Sequence, residues 1–280
     1  MHGLGNDFVV LDGRRDPDSL TPLLVPKIIR AIGDRRTGIG FDQMLTLLPS
    51  QDGDCYMRID NSDGSPAGAC GNGTRCVGQL LLEESGADEV LIDSPGGLLS
   101  VTPAQDREGH SGLVTARMGA PRWGWQDVPL RREMDTLHLD LSVDGLSDPA
   151  ALSMGNPHVV FFVPDADAVP LLQVGPRVET HGLFPDRANV SVAHRRDDGS
   201  FRLRVFERGA GITLACGSGT CATYAAARAR GLTDGPARID LDGGPLWMDM
   251  ADDGAILMTG AARTVCHGVI DPRLLAEAAP

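Results

Sequence analysis

The decapeptides ACGNGTRCVG, from Ala69, and ACGSGTCATY, from Ala215, open alike: a cysteine, a glycine, a small polar residue, a second glycine and a threonine. Cys70 and Cys216 stand 146 positions apart (216 − 70) in a chain of 280 residues. A motif that returns after about half the chain asks for one structural unit built twice. At roughly 100–200 residues per domain, the length also favours two domains.

The surroundings repeat as well. CYMRIDNSDGS reads as a strand running into a polar turn. After ACGNGT come apolar residues at helical spacing (Cys76, Val77, Leu80, Leu81), with Gly86 as the closing cap. RANVSVAHRRDDGSFRLRVFERGAG reads as a hairpin turning at Asp198-Gly199. TLACGSGTCATYAAARARGL follows as turn then helix, closed by Gly231. Elsewhere LGNDFVVLD is a strand, and VPKIIRAIGDRRTGIGFDQMLTLLP is a helix, a glycine turn and a short strand. EVLIDSPGGLLSVTP and SGLVTARMGAP read as strands, ALSMGNPHVVFFVPD as a strand entered through a Gly-Asn-Pro turn, and GAILMTGAARTVCHGVID ends in a strand. Residues 121–149, rich in tryptophan, proline and charge, carry no period and read as the passage into a second domain. The expectation is a duplicated α+β unit, with two like domains bringing two helix N-termini to a shared cleft.

Composition excludes several function classes. A net charge of −13 argues against nucleic acid and anionic membranes, which need a basic surface. No apolar run reaches the ~18 residues of a membrane helix. The start MHGLGNDFVVLDGRRD has no basic segment followed by an apolar one, so no signal peptide is expected there and the expected location is the cytoplasm. The six cysteines include C-x5-C and C-x4-C spacings, which are neither a disulfide framework nor zinc-binding pairs, and no metal is expected. Cys76 and Cys221 are read as helix core, Cys55 and Cys266 as structural. The chain has one lysine, Lys27, inside the apolar stretch LLVPKIIRAIG. A pyridoxal phosphate enzyme needs a Schiff-base lysine in a cofactor site, so no cofactor is expected.

The paired turns carry a chemistry. A helix N-terminus offers unpaired N–H groups and partial positive charge, and glycines let a ligand approach that backbone. Such a site binds an anion and favours the thiolate of a nearby cysteine. Two of them would hold one carboxylate between two sulfurs. Inverting a stereocentre beside a carboxylate needs a base on one face and an acid on the other, and a thiolate and a thiol supply both. Charge developing on the carboxylate would be stabilised by the N–H groups aimed at it. A cysteine at one glycine turn is readily a small buried hydrophobe; its repetition argues otherwise. Neither turn has the GxxxxGK[ST] form of a phosphate cradle.

MHGLGNDFVVLD, GIGFDQML, RIDNSDGS followed by ACGNGTRC, MGNPHVVFFV, RANV and VFERGAGITLACGSGTC together resemble the diaminopimelate epimerase family, in its order and spacing over essentially the whole chain. The resemblance implies a fold of two pseudo-symmetric α+β domains, each a mixed sheet wrapped around a central helix, with the active site in the cleft between them. The implied domains are 1–117, with 262–280 returning to it, and 118–261. It implies a cofactor-independent isomerase that interconverts LL- and meso-diaminopimelate, in lysine and peptidoglycan precursor biosynthesis, as a homodimer. Carried over by motif, Cys70 and Cys216 are the acid/base thiols. Gly71, Asn72, Gly217 and Ser218 hold the reacting carboxylate through backbone N–H groups. Asn6, Gln43, Asn61, Asn156 and Asn189 bond the substrate, Arg208 pairs with its distal carboxylate, and Glu207 with an amino group. His158 and Glu207 tune the thiols. A closed pocket for a small zwitterion needs this inventory of neutral amides, one cation and one anion.

Two departures stand out. The family reads ERGAGET where this chain has ERGAGIT, which predicts altered loop packing or substrate tolerance at Ile212. The family also carries strand residues before this opening motif, so either the first strand is short or the given start is not the true one. Two rival readings remain: a cofactor-independent racemase of another amino acid, such as histidine or proline, on the same scaffold, and a non-catalytic amino-acid-binding relative.

Overall fold

The computed structural model describes residues 1–274. The chain divides into two compact units: Met1–Ala116 with the segment from Ala261 on, and Arg117–Gly260. Positions 275–280 of the returning segment lie outside the described residues.

In the first unit the order is β1 (His2–Gly3), β2 (Asn6–Asp12), α1 (Pro26–Gly33), β3 (Gln43–Leu48), β4 (Cys55–Asn61), α2 (Gly71–Ser85), β5 (Val90–Asp93), β6 (Leu99–Pro103) and β7 (Leu113–Arg117). β1 runs antiparallel to β2, β2 parallel to β3, β3 antiparallel to β4, β4 parallel to β5 and β5 antiparallel to β6. Parallel neighbours need crossovers. α1 makes the one from β2 to β3, and α2 the one from β4 to β5.

The second unit adds β8 (Ser142–Val143), β9 (Leu146–Ser147), β10 (Ala150–Ser153), β11 (Pro157–Phe162), α3 (Leu171–Glu179), β12 (Asn189–Arg195), β13 (Phe201–Glu207), β14 (Gly211–Thr213), α4 (Gly217–Ala229), β15 (Ala237–Leu241), β16 (Gly244–Met250) and β17 (Ile256–Ala261). From β10 to β16 the path β10-β11-β12-β13-β15-β16 pairs antiparallel, parallel, antiparallel, parallel, antiparallel. That is the series of the first unit. α3 and α4 make the two crossovers, and β14 adds a short antiparallel strand to β13. The chain is thus an α+β duplication, as expected from the repeated turn.

Each sheet holds its second crossover helix. α2 packs on β1, β2, β5 and β6; α4 packs on β10, β11, β12, β13, β15 and β16. A helix covered on most sides is apolar or small all round, which accounts for ATYAAARA in α4. In α2, a Cβ on Gly78 would come 2.5 Å from Val101 of β6, so only glycine permits this approach.

Three elements differ from expectation. α3 was not foreseen, since Gly175 and Pro176 interrupt its pattern; a Cβ on Gly175 would meet Phe206 at 2.5 Å. β10 is a separate strand folded back on β11. Residues 121–149 contain the β8–β9 hairpin. Cys266, read as structural, is exposed, whereas Cys55, Cys76 and Cys221 are buried. Among the described residues no helix is long and apolar enough to cross a membrane.

Candidate active site

Topology brings the named polar residues to one end of each sheet. In the first unit Asn6 starts β2, Gln43 starts β3 and Asn61 ends the antiparallel β4. In the second, Asn156 precedes β11, Asn189 starts β12 and Glu207 ends β13. Phe8 faces Gln43 as His158 faces Asn189. Asn6 and Asn156, two residues earlier in each case, are therefore counterparts. Asn61 lies across from Gln43, and one step beyond the Val190–Phe206 pair Glu207 lies across from Asn189.

Each cysteine is the N-cap of its helix, in extended backbone conformation. Cys70 Sγ accepts from Gly73 N at 3.2 Å, and Cys216 Sγ from Gly219 N at 3.4 Å. A sulfur thus takes the place of the usual capping oxygen. Thr74 and Thr220 donate their hydroxyls to the carbonyls of Cys70 and Cys216, at 3.0 and 2.7 Å. The threonine of the repeated motif braces the turn, a role the sequence reading did not assign.

The electrostatics correct one expectation. The helix N-terminus was expected to lower the thiol pKa, yet that of Cys216 is raised well above its ordinary value. Burial is the main cause, followed by the charge of Glu207 and its acceptance of the S–H bond. The Gly219 N–H and the Ser218 hydroxyl pull the other way and are outweighed. Cys216 thus rests as the thiol. Burial likewise pushes Cys55 up to about 12 and Cys76 up to about 11, which makes both inert core residues.

The polar neighbours form two sets. In the first unit, Cys70 Sγ lies 3.9 Å from Asn6 Oδ1, and Asn72 Nδ2 donates to that same oxygen at 3.2 Å. Gln43 Nε2 donates to Asn61 Oδ1 at 2.9 Å, and Asn61 Nδ2 to Ser65 Oγ at 3.1 Å. In the second, Asn156 Nδ2 donates to Ser218 Oγ at 3.3 Å, and Ser218 Oγ is 3.7 Å from Cys216 Sγ. His158 Nε2 bonds Asn156 Oδ1 at 2.9 Å. Full burial, with Arg208 adding its positive charge, drives the His158 pKa down to about 3, so the ring is neutral.

Asn189 is buried and its amide is tied to backbone: Oδ1 accepts from Arg208 N at 2.9 Å and Nδ2 donates to Pro157 O at 3.0 Å. It holds the chain that presents Arg208. Arg208 is exposed, donates to Asp186 O at 2.9 Å and lines an open cavity of about 370 Å³. Arg122, Ser153 and Asn156 line it too. Thr213 donates its hydroxyl to Glu207 Oε1 at 2.5 Å. Neither Arg122 nor Thr213 carried a sequence signal beyond its place beside a motif. Gly71 and Gly217 are the first residues of their helices, where their N–H groups have no helical partner. Among the described residues no group of three or more His, Cys, Asp or Glu is arranged to hold a metal ion.

The family model described as diaminopimelate epimerase matches residues 1–124 and 150–265. The diaminopimelate epimerase of Rhodospirillum centenum is 49% identical over 282 aligned positions, covering 100% of this chain and 94% of its own. That of Phenylobacterium zucineum is 47% identical, covering 96% and 95%.

This chain belongs to the diaminopimelate epimerase family.

Among solved structures, a phenazine biosynthesis protein of the PhzF family from Bacillus anthracis aligns with a TM-score of 0.65 at 18% identity, over 93% of this chain and 91% of its own. A probable proline racemase from Agrobacterium radiobacter aligns at 0.64 and 18%, over 97% and 92%. Both likenesses establish the fold of the diaminopimelate epimerase family for this chain. The family is one of amino-acid isomerases, so its member here is an isomerase with a small-molecule substrate.

Proposed function

We propose that the protein interconverts LL- and meso-2,6-diaminopimelate without a cofactor, by two-base catalysis with Cys70 and Cys216, in lysine and peptidoglycan precursor biosynthesis. The observation that carries the reading is the matched pair of N-cap cysteines in corresponding places of a duplicated fold, in a chain of this family. The two domains of the reading are 1–117 with 262–280, and 118–261. A cytoplasmic homodimer is also part of it, on the family resemblance alone.

The chemistry follows from the groups present. One thiolate removes the α-proton, and the electron pair moves onto the adjacent carboxylate. The N–H groups of Gly71, Asn72, Gly217 and Ser218 stabilise that charge. The other cysteine delivers its proton to the opposite face, which inverts the centre. One sulfur gains a proton and the other loses one, and exchange with water resets the pair. Cys216, resting as a thiol, is the acid in one direction. In the other it first passes its proton to Glu207, the carboxylate that accepts its S–H bond. The Gly73 and Gly219 N–H groups stabilise each thiolate as it forms. Asn6, Gln43, Asn61 and Asn156 orient the substrate, Asn189 acts through the backbone that presents Arg208, Glu207 binds its amino group, and Arg208 its distal carboxylate at the open cavity, where Arg122 adds a second cation. His158 acts through Asn156, as a neutral donor.

The test follows the α-proton of LL-diaminopimelate by NMR in deuterium oxide with reduced protein, beside histidine, proline and glutamate. Loss of that proton with appearance of the meso form, for diaminopimelate alone, supports the reading. Exchange in another amino acid would move the protein to a sister racemase, and silence across the panel would make it a binding protein.

A further inference from the structure

The helices that carry the two cysteines differ at one buried place. The fifth residue of α4 is Cys221, but the fifth residue of α2 is Arg75, and both are fully buried. Burying a guanidinium carries a desolvation cost that only well-placed acceptors offset. Arg75 Nη2 donates to Asn72 Oδ1 at 2.9 Å. Gly3 admits β1 over this pair: a Cβ there would lie 3.3 Å from Asn72 Cβ and 3.4 Å from Arg75 Nη2.

A guanidinium can only donate, so the Asn72 atom facing it is the oxygen, and the amide nitrogen faces the other way. That nitrogen donates to Asn6, so the Asn6 atom it meets is again the oxygen. At the far end Asn6 Nδ2 donates to Asp42 Oδ2 at 2.8 Å, and an ionised carboxylate can only accept. Amide orientation is normally the least determined feature of an asparagine. Here a donor-only group at one end and an acceptor-only group at the other impose the same orientation on both amides. The oxygen of Asn6 is thereby the atom that meets Cys70 Sγ. Asp7 and Arg35 also join this network: Arg35 Nη2 bonds Asp42 Oδ1 at 2.7 Å and Asp7 Oδ1 at 2.8 Å.

We propose that Arg75 and Asp42 are positioning residues that jointly lock the Asn6 amide with its oxygen on Cys70, so that Cys70 is held as the acid for the direction in which Cys216 has passed its proton to Glu207. The proposal rests on the reading of Cys70 as one of the two acid/base thiols, but its test needs no substrate.

The double variant Arg75→Met/Asp42→Asn removes one positive and one negative charge, leaving net charge unchanged while freeing both ends of the chain of amides. The rate of alkylation by iodoacetamide is followed from about pH 6 to about pH 10, around the ordinary thiol range. It is read peptide by peptide by mass spectrometry, so Cys70 and Cys216 of the same molecules report together. Once free, the Asn6 amide can turn a donor toward the sulfur and favour the thiolate. The Cys70 midpoint then falls by about half a pH unit or more, while the Cys216 rate profile, which rises later because burial raises its thiol, stays unchanged. An unmoved Cys70 midpoint, or both moving together, overturns the proposal. Should the double variant fail to fold by circular dichroism, Asp42→Asn is compared with Asp7→Asn, which removes a charge of the same cluster without touching Asn6. A larger fall for Asp42→Asn upholds the proposal, and equal shifts overturn it. Absence of epimerisation with the expected Cys70 shift would count against the proposed function and leave this inference standing.

Discussion

His158 Nε2 lies 2.9 Å from Asn156 Oδ1, and among the described residues its other ring nitrogen has no partner. A ring buried in this way stays neutral, and its pKa falls from 6.5 to about 3. In the unfolded chain the same ring takes a proton near its ordinary value. The unfolded state therefore binds more protons as pH drops through that window, and stability falls from pH 6.5 toward pH 3. His158→Phe, which copies the residue at the corresponding position Phe8, removes this term. The variant should lose less stability than wild type between about pH 7 and about pH 4.5, by an amount on the order of a few kcal/mol at most. Urea unfolding at the two pH values measures it; equal losses would refute the buried-neutral assignment. The same variant should lower kcat/KM, because Asn156 loses the partner that orients it.

Thr213 holds Glu207 through a 2.5 Å hydrogen bond, on the carboxylate that accepts the Cys216 proton. Thr213→Val keeps the shape of the side chain and removes the donor. We expect kcat to fall by roughly tenfold, less than the ~10²–10⁴-fold that positioned proton transfer contributes, because the carboxylate itself is kept. Thr213→Ser should retain most of the activity. Thr213→Val with wild-type kcat would mean that Glu207 is placed by other contacts.

The two N-cap turns are equally crowded. A Cβ on Gly73 would sit 3.2 Å from Cys70 Sγ, and one on Gly219 the same distance from Cys216 Sγ. In both cases the neighbour opposite is an apolar side chain, Leu45 or Val205. Gly73→Ala and Gly219→Ala should each displace a sulfur by a few tenths of an ångström without unfolding the helix. Alanine is the better helix former, by about 1 kcal/mol. A drop in kcat at unchanged or raised Tm is the expected signature. A lowered Tm with unchanged kcat would show that the helix moved and the sulfur did not.

How much of this was legible in the sequence varies with the reach of the interaction. The N-cap cysteines and the duplicated unit were readable because a local turn motif recurs at fixed spacing. The helix α3 was not, because Gly175 and Pro176 break its periodicity and the need for glycine there arises from Phe206, 31 residues on (206 − 175). Arg75 and Asp42 carry no sequence signal, because a lone arginine in a helix and an aspartate in a turn look like surface charge until packing brings Asn72 and Asn6 between them. The direction of the Cys216 pKa is hidden from the sequence for a related reason. A helix N-terminus is visible in a sequence, but burial and the carboxylate of Glu207 belong to the tertiary fold.

Ile212, the departure from motif noted in the sequence, has a physical setting. It lies on β14 opposite Phe206 and packs against the apolar cluster of the second unit, to which Val174, Val178 and Phe184 also belong. Its neighbour Thr213 points to Glu207 instead, as strand alternation requires. Ile212 therefore pins the strand that carries the brace of the second thiol. Replacing it with glutamate sets a charge against an apolar cluster and should destabilise the protein by about 1–2 kcal/mol. Urea unfolding of Ile212→Glu checks this. The kinetic consequence is specific: loosening β14 frees Thr213, so Ile212→Glu should lower kcat on diaminopimelate in the manner of Thr213→Val, and the two changes combined should cost little more than either alone. Additive losses would show that Ile212 acts on the substrate pocket by a separate route.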